Sequence, residues 1–252
     1  MTSALRSSPS PDQLYSTTAE FYELVARRHT ASIAPALGEI ISGTAHVPGH
    51  LVEIGAGTGC VTTLLGRSAP ETAILAAEPS PIMRAMLVSR IAGDPALRPR
   101  VTIVPESAEA VALPEQIRAA ILIGVAGHLD EGERTSLWQR LTERLAPGGV
   151  IVVDLMGTTT PGLPPVRLLR ESVGGQTYEW WASAAATGQE RLLRFDTTWK
   201  VLSGDVVVRE VHDTYPWWSL DADTVIRESG LPGRVVDGAA ELGGSRLVVL
   251  GG

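Results

Sequence analysis

The chain has 252 residues, 44% of them hydrophobic, and a formal net charge of −7, which suits one large domain or one domain with a substantial insertion. That acidity argues against a sequence-independent nucleic-acid surface. The single cysteine, Cys60, excludes an internal disulfide and fits a reducing cytoplasm, and the sequence shows no secretory signal, no bilayer-length apolar run and no H-E-x-x-H zinc signature.

Residues 1–12 are rich in Ser and Pro and are expected to form a disordered tail. From Gln13 to Ile41, apolar residues such as Phe21, Val25, Ile33, Leu37 and Ile41 recur at helical spacing, so residues 13–50 are expected to form a helical cap. Tyr15, Tyr22 and His29 are spaced by seven, near one face of any helix that runs through all three. Then comes Leu51-Val-Glu53-Ile-Gly55-Ala56-Gly57-Thr-Gly59, an apolar strand ending in an acid and a glycine-rich turn. The glycines let the backbone bend sharply and approach a ligand without a Cβ in the way. A dinucleotide fingerprint needs its third glycine one residue later than Gly59.

Val61 to Ser68 reads as a crossover helix and Thr72 to Ala77 as a second strand ending at Glu78. Glu78 follows the glycine turn by roughly 20 residues, where a ribose-binding carboxylate belongs, and its two oxygens can accept both ribose hydroxyls. A helix over Pro81–Ile91 and strands over Val101–Val104 and Ala119–Gly124 follow, the last with the exit loop Gly124-Val125-Ala-Gly-His128-Leu129. An amphipathic helix over Gly132–Leu145 is expected to stop at Pro147-Gly-Gly149, which turns the chain into a fifth strand, Val150–Asp154. This strand–helix alternation implies a parallel sheet.

Beyond Asp154 the pattern changes. Gly157 to Pro165 reads as a loop, and Gln176–Ala186, Arg191–Val201 and Asp205–Tyr215 read as three hairpin-connected strands. Residues 157–218 are therefore expected to form an antiparallel β lid inserted into a core of residues 51–156 and 219–252. Five of the six tryptophans fall in or just after this insert. Trp180 and Trp181, being adjacent, point to opposite faces of a strand, so one of them at most faces any given site. Ser219 to Gly230 reads as a late helix, followed by short strands at Val235-Val236 and Arg246–Leu250.

Several of these segments together resemble the class I S-adenosylmethionine (SAM) methyltransferases of small-molecule type. They are Tyr15-x-x-x-Ala-x-x-Tyr22, Glu53-x-Gly-x-Gly-x-Gly59, Glu78-Pro-Ser-Pro-Ile-Met83, Glu106-Ser-Ala-Glu109, His128-Leu129 and Pro147-Gly-Gly149. The resemblance implies a Rossmann-like α/β fold: a seven-stranded, mostly parallel sheet with one antiparallel edge strand and helices on both faces. It implies a SAM site built from Tyr15, Glu53, Gly55, Ala56, Gly57, Gly59, Glu78, Pro79, Met83, Ser107, Ala108, Gly124 and Val125. Ser107 stands where the family usually has an adenine-contacting Asp, and a hydroxyl accepts more weakly than a carboxylate.

Methyl transfer from a sulfonium is an in-line displacement, accelerated chiefly by orientation, with a base needed only if the acceptor must lose a proton. His128 is the first candidate base, with Tyr22 and His29 behind it and Asp154 at the rim. Tyr22, His128, Trp180, Trp181, His212 and Trp217 are expected to hold a small aromatic or apolar acceptor, such as an indole or polyketide scaffold. No metal, nucleic acid or membrane is expected to take part, and the chain is expected to be a monomer or homodimer. Three other readings stay open: a SAM-binding fold doing non-methylating chemistry, an NAD-dependent oxidoreductase, and an interaction module that uses the tryptophan lid.

Overall fold

The computed structural model describes residues 17–156, 162–238 and 245–252. Tyr15 and the expected tail lie outside them. The first strand, β1 (His50–Ile54), is buried from Leu51 onward, and its side chains alternate between two cores. Val52 and Ile54 face one, Leu51 the other, which is how a parallel strand covered on both faces should read. The helices α1 (Ala19–Gly43) and α2 (Cys60–Ser68) supply the second core through Ile33, Leu37, Ile41 and Leu65. The first core is closed by α4 (Glu131–Thr142) and α5 (Ala222–Ser229), through Leu137, Trp138, Leu141 and Val225.

Between these lie β2 (Ile74–Ala77), α3 (Pro81–Ala92), β3 (Val101–Val104), β4 (Ile117–Leu122) and β5 (Leu145–Asp154). With β10 (Gly233–Asp237) and β11 (Arg246–Gly251) the strands form a seven-stranded sheet in the order β10-β11-β5-β4-β1-β2-β3. All pairs from β5 to β3 are parallel, and β11 runs antiparallel one place in from the β10 edge. Capping fixes the helix starts. Ser80 precedes Pro81 at the first turn of α3, and Asp130 and Glu133 form a reciprocal capping box on α4.

Two sequence expectations need correction. The helix before β5 ends at Thr142, and Leu145 already pairs with Ile117 of β4. Ala119 then pairs with Val150, so Arg118 alone opposes residues 146–149. Pro147-Gly-Gly149 is thus a wide bulge inside the strand rather than the stop of the helix. The insert holds four strands, not three: β6 (Gly162–Val173), β7 (Gln176–Ala186), β8 (Leu192–Ser203) and β9 (Val206–Trp218), paired in that order. β6 is an edge strand with only Leu169 fully buried, and Pro164 and Pro165 sit at a register shift in it. An edge tolerates prolines and needs no apolar face, so its first residues, up to Pro165, read as a loop.

The second sheet turns one face toward the carboxyl ends of β1 and β4. Phe21 of α1 packs against Leu169, Trp199 and Val201, and Trp217 packs on the loop after β4. The cap helix and the four-stranded sheet therefore enclose the place where β1 ends.

Candidate active site

Where β1 ends, the chain passes through Gly55 and Gly57, both with positive φ (70° and 54°). A Cβ on Gly55 would stand 2.5 Å from Cγ2 of Val125, and one on Gly57 would touch the Tyr22 ring at 3.4 Å. Gly59 differs. A Cβ there would meet Leu87 of α3 at 2.6 Å, so this third glycine lets α3 pack closely on the turn. The turn lines a cleft of about 960 Å3, counting its open mouth, together with Tyr22, Glu53, Ala56, Gly124 and His128.

Two carboxylates are buried here. Glu53 is 3% exposed, accepts a hydrogen bond from Thr62 Oγ1 (2.6 Å), and is pushed up to about 8, chiefly by burial. Glu78 is 5% exposed and also raised by burial, against N–H donation from Gly57 (2.7 Å) and Ser80 (2.8 Å) to its two oxygens. A third acid, Glu106 after β3, has its Oε2 buried with no hydrogen-bond partner. These observations fit a bound nucleoside with a cationic tail: a turn without side chains, acids in want of a positive group, and an unsatisfied acceptor. Glu53 would face the cationic end, and Glu78 and Glu106 would take hydroxyl and amine donors.

Pro79, Ser107 and Ala108 lie along the exits of β2 and β3, beyond the wall of this cleft. The Ala108 carbonyl accepts from Arg140, and Ser107 Oγ reaches Glu109 at 3.5 Å. Met83 is 1% exposed and lies inside the fold rather than on the cleft wall.

All three catalytic candidates, Tyr22, His29 and His128, line the cleft, and His128 sits on the loop that leaves β4. Burial pushes its pKa down to about 4, so it faces the cleft as a neutral imidazole, edge-on to Trp217 (centroids 4.8 Å apart) and near Tyr215 (5.8 Å). Tyr22 reaches the glycine turn, but burial and the charge of Glu78 raise its phenol above the ordinary range. The raised pKa keeps the phenol protonated. His29 places Nε2 2.6 Å from Asp154 Oδ2 and Nδ1 3.4 Å from Ser245 Oγ. Both ring nitrogens are engaged, so His29 straps α1 to the end of β5.

The tryptophans separate by face. Trp180 lies on the cleft and stacks on Trp199 (5.8 Å), which in turn stacks on Phe21 (4.9 Å). Trp181 is on the opposite face, donating to Glu179 (2.9 Å) and flanked by Arg167 and Lys200. His212 is also outside, bonded to Thr198 (2.9 Å) and Glu210 (3.1 Å). Continuing the register of the Ser203–Val206 turn would have set His212 opposite Thr197, inside the cleft. Val208 is an extra residue: Leu202 pairs with Val207 but Val201 with Arg209. That bulge exchanges the faces of β9, turning His212 out and bringing Val211, Asp213, Tyr215 and Trp217 in. Trp199, Thr197 and Tyr215 on the cleft wall were not singled out from the sequence. The period-2 alternation of β8 holds a signal for the first two, while Tyr215 depends on the bulge.

A methyl-donor site at the carboxyl ends of a seven-stranded sheet is the arrangement of class I SAM-dependent methyltransferases. Residues 52–151 match the methyltransferase domain family. Residues 52–151 thus form a methyltransferase domain, and the chain has the fold of the class I SAM-dependent methyltransferases. It is 29% identical over 184 residues to a trans-aconitate 2-methyltransferase of Acidovorax sp. (strain JS42), covering 72% of this chain and 65% of that protein. A trans-aconitate 2-methyltransferase of Methylobacterium nodulans is 29% identical over 162 residues, 64% of this chain and 58% of that one. The matched region thus spans less than two thirds of these relatives' length.

Among solved structures, Streptomyces venezuelae DesVI superposes with a TM-score of 0.72 at 16% identity, covering 95% of this chain and 98% of that one. CalS10, an amino pentose methyltransferase from Micromonospora echinaspora, gives 0.66 at 19% identity over 86% and 89%. The sugar N-methyltransferase KedS8 from Streptoalloteichus sp. ATCC 53650 gives 0.69 at 16% over 99% and 96%. These likenesses extend through the second sheet, so the four-stranded insert belongs to the shared fold. No helix among the described residues is long and apolar enough to cross a membrane.

Proposed function

We propose that this chain transfers the methyl group of SAM to the nitrogen of a small amine carried on a ring or sugar of natural-product type. One observation carries the reading. The described cleft wall presents Trp180, Trp199, Tyr215 and Trp217 together with one acid, Glu53, and two histidines, His29 and His128, and no Lys or Arg. Aromatic faces without a basic side chain suit an uncharged or cationic acceptor. A tricarboxylate such as trans-aconitate would enter with its charges unanswered, at a high desolvation cost. That CalS10 is an amino pentose methyltransferase and KedS8 a sugar N-methyltransferase supports an amine as the acceptor.

When bound, the cofactor supplies an electrophilic methyl on a sulfonium. The chain's part is orientation. The Phe21–Trp199–Trp180 stack on one side, and Tyr215 and Trp217, each packed on Phe195, on the other, hold the acceptor ring and exclude water. His128, neutral at physiological pH, accepts an N–H bond from the acceptor and aims its lone pair at the methyl. Tyr22 fixes the cap helix over the glycine turn.

The test is mass spectrometry of reactions with SAM and four acceptors: an amino-sugar methyl glycoside, tryptamine, its alcohol counterpart tryptophol, and trans-aconitate. A gain of one CH2 on nitrogen of an amine is expected. Methylation of trans-aconitate in preference to both amines would overturn the reading.

A further inference from the structure

On the inner face of the second sheet, the register sets a row of small or short side chains between two aromatic rows. Ala182, Thr197 and Asp213 pair across β7, β8 and β9. On one side of that row are Trp180 and Trp199, on the other Phe195 and Tyr215, the latter two stacked 5.8 Å apart. Thr197 lines the cleft, so the row forms a trough that opens toward β9, the edge strand.

Asp213 ends that trough. Its Oδ1 accepts from the Thr214 N–H (2.9 Å), and Thr197 Oγ1 donates to its main-chain carbonyl (3.3 Å). Its charge reaches Tyr215, whose phenol is pushed up to about 12 by burial first and by Asp213 second. The cations of β8 and β9 are committed elsewhere: Arg194 to Asp196, Lys200 and His212 to Glu210, and Arg209 to Glu20. Among the described residues no ion pair engages Asp213. A half-buried carboxylate beside Tyr215 on the same face of the sheet is a place for an organic cation, held by charge and by the Tyr215 ring together.

We propose that Asp213 is the specificity-determining residue that captures the acceptor as its ammonium at the mouth of the cleft. This rests on the amine reading above and deepens it. At neutral pH an aliphatic amine arrives protonated, whereas only the neutral amine can attack a methyl. The two tasks are separated in space. Asp213 holds the ammonium at the open trough, its proton leaves to bulk water there, and the neutral amine meets His128 farther in.

The test is calorimetric titration of enzyme loaded with S-adenosylhomocysteine, using tryptamine and tryptophol, which differ only in amine against hydroxyl. Wild type is expected to bind tryptamine about tenfold more tightly. Asp213→Asn should bring the two affinities together, with tryptophol and S-adenosylhomocysteine binding unchanged, and Asp213→Glu should keep most of the preference. Equal affinities in wild type, no binding of tryptamine, or a preference that survives Asp213→Asn overturns the inference. Failure of the amine reading shows itself separately, as the absence of an N-methylated product from wild type.

Discussion

His128 meets the cleft as an uncharged ring because burial removes the water an imidazolium needs, bringing its pKa from 6.5 to about 4. The unfolded chain therefore binds more protons than the folded one between those values. Stability from this group is fully present above pH 6.5 and is lost as pH falls through 4, a loss of at most about 3 kcal/mol. His128→Gln, which keeps a hydrogen-bonding amide, should lessen the fall in melting temperature between pH 6.5 and 4.5. It should also lower turnover about tenfold while leaving SAM affinity within a few-fold, as read by calorimetry and initial rates. The sequence pointed to His128 through its place after the fourth strand, because that position follows from chain order. It pointed less strongly to His29, whose engagement by Asp154 and Ser245 joins residues 125 and 216 positions apart. No local pattern contains that.

The cap helix α1 is tied down at three places along its length, each by a different element. Glu20 pairs with Arg209 of β9, Glu23 with Arg90 of α3, and His29 with Asp154 of β5. Arg90 also donates to the Thr58 carbonyl (2.8 Å), linking the helix to the glycine turn. If His29 is a strap, His29→Gln should raise hydrogen exchange across α1 and lower the melting temperature by a few degrees. The shape of the pH–rate profile should not change; a flattened limb would restore His29 as a base.

The second sheet docks by a closer fit. A Cβ on Gly127 would lie 2.1–2.5 Å from three indole atoms of Trp217, so only glycine leaves room for that ring. Gly127→Ala should displace Trp217 from His128 and cost at least tenfold in acceptor KM, with S-adenosylhomocysteine affinity nearly unchanged. Helices and buried strands were legible from period and capping residues. The edge strand β6 was not, since neither prolines nor an exposed face leaves an apolar period.

At the scale of the whole molecule, the cofactor site is a junction of β1, β2, β3 and β4 ends with a helix from outside the sheet. Ligand binding there should stabilise all of them together. At one hundred times its Kd, SAM should add about 2.7 kcal/mol, a rise of roughly 5–10 °C in melting temperature for a chain this size. NAD at the same concentration should give no comparable rise, and a larger shift with NAD would favour the oxidoreductase reading. The sequence by itself determined the sheet, the order of its strand–helix units and the glycine turn with its acids. Each of these is written in residues within one βαβ unit, where spacing along the chain is spacing in space. Which side chains face the acceptor was decided only in the tertiary structure. One bulged residue, Val208, exchanges the two faces of β9, and no periodicity in the strand records it. It turns His212 to solvent, brings Tyr215 and Trp217 over the cleft and sets Asp213 on the same face of the strand.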